Sequence, residues 1–283
     1  MENLTLLIHI DDIETFPDHI LQYLRSNFNI FESYVAECER INNLYNTNFE
    51  DRDLLRNYHN KFERSLINIV DKILLLVDKF YFSYYHCTKL LPNEIKYIKS
   101  HGLSPFSYNL SEKKLQFLKE SCLIDEKLID FLKINNHSHN PKGRDRLVFI
   151  LNKNSLKYNY GIDKFLKYWG GENIFYFKNN NYNIKELSKI GKSSIIKLQF
   201  NLDYFNDIYK KEIAYTMCKT FYEFMTAKLE KCLELSSFFD KYEIRLQEQI
   251  EPNNIIDIIT YSDEEFKSII CNDLYDELGN YNI

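Results

Sequence analysis

Hydrophobic residues recur at intervals of three and four over two stretches of the first 80 residues, and this spacing predicts amphipathic helices. The first stretch covers residues 13–45, and the second runs from about residue 54 to residue 80. A polar segment at 42–53 predicts the loop between them. The second stretch carries a wide apolar stripe, which another part of the chain must cover: Leu66, Ile69, Val70, Ile73, Leu74 and Val77. We predict an α-helical N-terminal region over residues 1–79.

The pattern changes at residue 80 to short aromatic and β-branched runs that are typical of strands. The predicted strands are 80–85, 146–151, 173–177, 194–202, 243–246 and 254–261. The predicted helices are 92–101, which Gly102 ends as a C-cap, 111–133, 161–169 and 212–239. The tail from residue 262 is acidic and ends in a weak helix. Strands and helices in this mixture predict the α+β fold class.

The amino-acid composition argues against several classes of protein. The 283 residues include only 7 Gly and 5 Pro, which argues against a disordered chain. A formal net charge of −5 excludes a uniformly basic coat for nucleic acid, although it leaves room for a local patch. The six cysteines are scattered without a CxxC pair, so we expect reduced thiols rather than a zinc site or disulfides.

The N-terminus has no basic segment of a signal peptide, and Asp71 and Lys72 interrupt the most apolar run, residues 67–77. We therefore expect a soluble cytoplasmic protein that makes no use of a membrane. His137 and His139 lie two apart in a loop-like segment without a cluster of carboxylates or cysteines, and no metal site is predicted there.

The segment from Tyr84 to Leu90 carries the candidate chemistry. His86 and Thr88 are two apart on a predicted strand, so their side chains project to the same face. An imidazole and a hydroxyl that point into one cleft can form hydrogen bonds with a ribose or an amide. The alternative is a strand end whose polar atoms only satisfy neighbouring backbone groups.

Tyr85-His86-Cys87-Thr88, followed by Glu94, Ile98 and Gly102-Leu103, resembles the first motif of the ADP-ribosyltransferase superfamily. Within the superfamily, the motif most resembles those of nucleic-acid-directed bacterial toxins and RNA 2′-phosphotransferases. It implies an ADP-ribosyltransferase-like split β core over residues 80–262, with residues 263–283 as an acidic tail. Cys87 stands where the family usually carries a small residue or glycine.

The resemblance also implies roles. NAD would be the substrate, with His86 holding its ribose and Thr88 beside the nicotinamide or its ribose. A late strand would supply an acid that stabilises the oxocarbenium-like state, as in glycoside hydrolysis. Glu243 opens a predicted strand and is favoured over Glu248, which precedes the turn at Pro252.

Other segments offer candidates beside this motif. Tyr176 is a candidate for stacking on nicotinamide, with Phe149 as its rival. The segment Trp169–Glu172 is either a helix end anchored by the single tryptophan or a wall of the cleft. A lysine-dense stretch around Tyr182 is either a local contact for phosphates or solvated surface: Lys178, Lys185, Lys189, Lys192 and Lys197.

The resemblance thus implies ADP-ribosyl transfer from NAD to a macromolecular acceptor, which could be RNA, DNA or protein. It further suggests a bacterial toxin or phage-defence effector, a class that commonly needs a neutralising antitoxin protein. One alternative is a catalytically inactive nucleotide-sensing or protein-interaction module of the same fold. Another is a 2′-phosphotransferase, which requires a basic cluster for which Arg144 and Arg146 are the nearby candidates.

Overall fold

The computed structural model describes residues 7–47, 60–105, 108–134, 147–151, 153, 156, 162–170, 181–226 and 243–280. Within them the fold combines helices with a mainly antiparallel sheet, which confirms the α+β class. The strands are β1 (Leu7–Ile8), β2 (Tyr81–Leu90), β3 (Leu147–Ile150), β4 (Lys192–Phe200), β5 (Glu243–Leu246) and β6 (Ile255–Thr260).

The helices follow in chain order. They are α1 (Asp18–Ser26), α2 (Phe28–Thr47), α3 (Glu63–Val77), α4 (Pro92–His101), α5 (Tyr108–Glu120), α6 (Glu126–Ile134), α7 (Ile162–Lys167), α8 (Asn181–Ser188), α9 (Asp207–Thr226), α10 (Glu264–Ile269) and α11 (Asn272–Gly279). Short 3₁₀ turns occur at Ile13–Thr15, Leu202–Tyr204 and Pro252–Asn254. No helix among the described residues is long and apolar enough to cross a membrane.

Most of these elements match the sequence pattern, but the helix predicted over 13–45 is divided into a 3₁₀ turn, α1 and α2, and other elements differ as well. The strand predicted at 80–85 continues to Leu90, β1 has no counterpart in the prediction, and α8 forms where only a loop and strand edge were considered. The loop predicted at 135–144 and the strand predicted at 173–177 lie outside the described residues.

The described chain groups into two compact units, and the first contains residues 1–83 and 200–242. In this unit α2 and α9 pack against α3 and cover the apolar stripe that the sequence predicts. Phe221 of α9 also packs on α2, since the centroid of its ring lies 6.2 Å from that of Phe28 and 6.3 Å from that of Phe31. The N-terminal helices thus obtain their cover from a helix far along the chain.

The second unit contains residues 84–199 and 243–283. Its strands lie in the order β5-β3-β2-β4-β6, with β2 in the centre. β3 is antiparallel to both β2 and β5, and β6 is antiparallel to β4. β1 pairs in parallel with the first residues of β2. The domain limits predicted at residues 79 and 262 divide the chain into consecutive segments, whereas each unit combines two separate segments. The limits stay a prediction.

The acidic C-terminal segment contributes to the core of the second unit. α10 and α11 bury apolar side chains against Tyr85 and Cys87 of β2: Phe266, Ile269, Ile270, Leu274 and Leu278. Helical spacing of these residues places them on one face of each short helix, while the acidic residues between them face solvent. The segment is therefore acidic in composition and amphipathic in structure.

Lys89 ties two helices to the central strand. Its side chain is 1% exposed, and its ammonium donates to the carbonyl of Ser188 and lies 3.5 Å from the carbonyl of Lys167. These carbonyls belong to the last residues of α8 and α7, where helices leave acceptors unsatisfied. Burial lowers the pKa of Lys89 to about 8. This lysine therefore has a structural role.

Candidate functional site

The candidate site is built on β2, whose residues alternate between the two faces of the sheet. Tyr85 and Cys87 are buried, whereas His86 and Thr88, which alternate with them, are partly exposed. The strand therefore presents an imidazole and a hydroxyl at the same face of the second unit.

The His86 ring is held in a defined tautomer. Its Nδ1 lies 2.9 Å from the carbonyl oxygen of Val148 on β3. A carbonyl only accepts hydrogen bonds, so Nδ1 must carry the proton and Nε2 carries a lone pair when the ring is neutral. The neighbouring strand thereby orients Nε2 as an acceptor.

The surroundings favour the neutral ring. Burial lowers the pKa of His86, and the positive charge of Lys114 lowers it further, while the hydrogen bond to Val148 works in the opposite direction. The net result is a pKa below the ordinary value of 6.5. The lowered pKa favours a neutral ring, whose Nε2 can accept a hydrogen bond.

Phe149 supports this ring from β3. The two ring centroids are 5.8 Å apart with an interplanar angle of 54°, and Phe149 is 0% exposed. A side chain without exposed surface packs behind a site and has no face to offer a ligand. Phe149 is thus a support for His86, and its predicted rival Tyr176 lies outside the described residues.

Lys114 belongs to a polar cluster at the start of α4. Its ammonium is 2.6 Å from Oε1 of Glu94 and 5.8 Å from the centroid of the Trp169 ring. Oε2 of Glu94 accepts hydrogen bonds from the Trp169 indole at 3.1 Å and from the backbone N–H of Leu91 at 2.8 Å. These interactions hold the carboxylate in place, so Glu94 has a capping and positioning role.

The cluster also decides between the two interpretations of Trp169. The indole is 1% exposed and packs with buried residues of α5, α6 and α8. Gly170 follows with a φ of 95°, as expected where a helix ends in a left-handed turn. Trp169 is a core anchor whose N–H orients Glu94, and residues 171 and 172 lie outside the described chain.

The two candidate acids occupy different places. Glu243 is the first residue of β5 and pairs with Ile150, which pairs in turn with Tyr85. β3 lies between the two strands, so the backbone of Glu243 is about 10 Å from that of Tyr85, which is twice the spacing of neighbouring strands. The pairing row of Glu243 is therefore that of Tyr85, which belongs to the face of β2 opposite to that of His86 and Thr88.

Glu248 is exposed and lies just beyond β5. The chain there is fixed by Gln249, whose side-chain amide donates to the carbonyl of His101 at 2.9 Å, and by Ile250, which pairs with Leu103. Glu248 is thereby located near the C-terminal end of α4, whereas Glu94 marks its N-terminal end.

The remaining sequence candidates add no ligand set. His137, His139, Arg144, Arg146 and Lys178 lie outside the described residues, and the described part of the chain contains no group of three or more side chains suited to a metal. Within the lysine-dense stretch, Lys189 lies 2.7 Å from Glu186 and Lys197 lies 3.9 Å from Glu265. These ion pairs favour the interpretation as solvated surface.

Sequence reasoning missed Lys114 because a lysine on a separate helix carries no local signal of its position. Glu94 does carry one, since an acid at the third position of a helix that begins with proline is typical of a capping residue.

Comparison of the chain with protein-family models, with curated proteins and with solved structures finds no match.

Proposed function

We propose that the chain is an NAD-dependent ADP-ribosyltransferase that modifies a macromolecular acceptor. The observation that carries the proposal is the state of His86. Its Nδ1 is engaged by Val148, which leaves Nε2 as an acceptor in the neutral ring that burial favours, and Thr88 projects from the same face of β2. Such a pair suits the hydroxyls of a ribose and the amide of nicotinamide.

The proposed reaction breaks the bond between the anomeric carbon of NAD and the nicotinamide nitrogen. The electron pair of that bond leaves with nicotinamide, which becomes neutral, and the ribose acquires oxocarbenium character. The acceptor's nucleophilic atom then forms a bond to the anomeric carbon and releases its proton to a base. Glu243 is the proposed carboxylate that stabilises the positive charge.

A neutral His86 fits this chemistry electrostatically. A protonated imidazole next to a developing oxocarbenium ion would raise its energy, because the two positive charges repel each other in a site of low dielectric constant. Burial and Lys114 both lower the pKa of His86 and so oppose protonation. Lys114 would thus add to the effect of burial on the charge state of His86.

We further propose that the enzyme works in the cytoplasm as a bacterial toxin or phage-defence effector. Unregulated modification of a host macromolecule would harm the producing cell, so an antitoxin protein that neutralises the enzyme is the expected partner. RNA, DNA and protein all offer nucleophiles that can attack an anomeric carbon.

The test is release of nicotinamide from NAD by the purified chain, with and without added RNA, DNA and protein acceptors. We expect release by the wild type and a loss of at least about 100-fold in His86→Asn, which keeps a donor toward Val148 but lacks the Nε2 acceptor. Glu243→Gln should lose activity similarly, and Glu248→Gln serves as the matched control. Full activity in Glu243→Gln with loss in Glu248→Gln would transfer the catalytic role to Glu248.

One observation favours a second function, a catalytically inactive nucleotide-sensing or protein-interaction module. The pairing row of Glu243 coincides with that of Tyr85 rather than that of His86. A site that holds a nucleotide through His86 and Thr88 without an aligned acid would bind but not cleave. Nucleotide binding in the absence of any nicotinamide release would identify this function.

A further inference from the structure

Strand β6 forms one edge of the sheet, because among the described strands it pairs only with β4. Backbone groups of an antiparallel edge strand point alternately toward the neighbouring strand and away from it. Tyr261, just after β6, directs its N–H toward β4, where it donates to the carbonyl of Ser193 at 2.9 Å. Thr260 and Ile258, one and three residues earlier, therefore direct their N–H groups outward.

Carboxylates accept both of these outward N–H groups. The N–H of Ile258 donates to Oδ1 of Asp257 at 2.7 Å, and the N–H of Thr260 donates to Oδ2 of Asp263 at 2.6 Å. The same oxygen of Asp263 accepts the hydroxyl of Thr260 at 2.9 Å. An added strand would need these N–H groups as donors for its own carbonyls. The side chains of Asp257 and Asp263 therefore cap the edge against pairing.

The backbone of β6 is also irregular next to these caps. Asp257 pairs with Lys197 and Ile255 pairs with Leu198, so Ile256 is the extra residue of a bulge. Bulges and charged side chains are the devices by which natural edge strands avoid pairing with other chains. The bulge and the two caps thus act in the same sense.

The composition of β6 indicates which partner these devices exclude. Residues 255–260 comprise four isoleucines, one threonine and one aspartate, so five residues are β-branched and only one is charged. Short segments of high β-propensity and low charge pair with copies of themselves when their edge is open. Antiparallel pairing of β6 with the same strand of a second copy is isologous, so one two-fold axis generates it. A second copy of the chain is therefore the partner that this strand fits.

We propose that Asp257 and Asp263 close β6 against pairing with β6 of a second copy, and that a chain without these carboxylates associates through this strand. The inference goes beyond the proposed function and requires no NAD. It concerns the edge of the sheet, whereas His86 and Thr88 lie on the central strand.

The test is sedimentation velocity of the wild type and of Asp257→Ala/Asp263→Ala over a range of protein concentrations, without NAD. We expect the average mass of the double variant to rise with concentration to about twice that of the wild type. Asp130→Ala/Asp276→Ala is the matched control, since it removes two exposed carboxylates from other surfaces of the same unit. The control should sediment like the wild type.

A second variant separates the hydrogen bonds from the charge. Asp257→Asn/Asp263→Asn removes both charges but keeps an oxygen at each position that can accept the N–H, so it should sediment like the wild type. If the double alanine variant does not fold, Asp257→Ala alone provides the same readout with a smaller rise in mass. Apart from its cap, this substitution removes only an exposed ion pair with Lys99, at 3.6 Å, which contributes little to stability.

Hydrogen exchange locates the contact. In the alanine variant, peptides that cover residues 255–260 should exchange more slowly as the protein concentration rises. Any of four outcomes would overturn the inference: a wild-type mass for the alanine variant at every concentration, equal association of the asparagine variant, association of the Asp130→Ala/Asp276→Ala control, or concentration-dependent protection outside β6 alone.

Discussion

The charge state of His86 connects the sequence motif to its proposed chemistry. Three influences act on it: burial and the cation of Lys114 lower the pKa, while the carbonyl of Val148 raises it. The first two prevail, so the folded protein binds a proton at His86 less readily than the unfolded chain does. This difference makes stability depend on pH.

We expect the free energy of unfolding to fall as pH decreases through about 6.5, the ordinary pKa of histidine. In that range the unfolded chain takes up a proton that folded His86 does not, and protonation therefore favours the unfolded state. The loss ends below the folded pKa, where both states are protonated. Urea unfolding of the wild type and of His86→Asn between pH 7.5 and pH 5 measures this decrease in the free energy of unfolding.

The difference between the two proteins isolates His86, since every other titrating group is common to both. His86→Asn should show a shallower decline of stability toward low pH. A parallel decline in the two proteins would mean that the pKa of His86 is not lowered in the folded state.

At this scale the sequence could predict part of the site. The spacing of His86 and Thr88 was sufficient to expect both on one strand face, because alternation is a local property of an extended chain. Lys114 and Trp169 could not be predicted as neighbours of Glu94, because their proximity depends on how separate helices pack. The resemblance pointed to the strand but carried no signal for the electrostatic partner of its histidine.

At the scale of elements, the local sequence and the tertiary packing define the same end of α4. Pro92 and Glu94 begin the helix, and Gly102 ends it with a φ of 85°. A Cβ at Gly102 would lie 1.9 Å from the carbonyl oxygen of Ile250, so the backbone there approaches too closely for any side chain. The glycine is required both by its conformation and by the backbone of Ile250, which passes close to it.

We therefore expect Gly102→Ala to lower the free energy of unfolding by at least about 1–3 kcal/mol, from the strained conformation alone. Displacement of Ile250 should also perturb the end of α4, because Ile250 forms backbone hydrogen bonds with Leu103. Gly279→Ala is the control, because its φ is not positive and its Cβ would meet only the hydroxyl of Tyr261 at 3.0 Å. Chemical denaturation should place the control within about 1 kcal/mol of the wild type; equal losses in both variants would contradict the argument.

Elements with strong local signals were predicted, and those defined by long-range pairing were not. Helix α4 has its own start and stop residues, whereas β2 extends to Leu90 because strands on both sides pair with it. The acidic composition of residues 263–283 predicted a tail, but periodic apolar residues within it form two packed helices. Net charge describes the solvent side of such a segment and says little about its buried side.

At the scale of the whole molecule, chain order and compact units differ. The first unit joins residues 1–83 to 200–242, and the second joins 84–199 to 243–283. The apolar stripe on α3 predicts that another element packs against it, but periodicity alone cannot identify that element. Fold class followed from the succession of elements, whereas the connections between them required the structure.

Binding of ADP-ribose, measured together with nicotinamide release, distinguishes the transferase from the catalytically inactive nucleotide-sensing module. A ligand that binds only the folded state stabilises it by about 2.7 kcal/mol at a concentration 100 times its Kd. For a chain of this size we expect saturating ADP-ribose to raise the Tm by roughly 5–10 °C. ADP-ribose keeps the ribose and lacks the bond that the transferase would cleave, so its effect reports binding without turnover.

His86→Asn and Thr88→Val should reduce this shift, because each removes a polar group of the proposed nucleotide site. Ser268→Ala, at an exposed serine on α10, should retain it. Nicotinamide release from NAD is then measured in the same samples. A shift with release supports the transferase, and a shift without release supports the sensing module. A wild-type protein that shows no shift with either NAD or ADP-ribose would contradict nucleotide binding at β2, and both proposals would fail together.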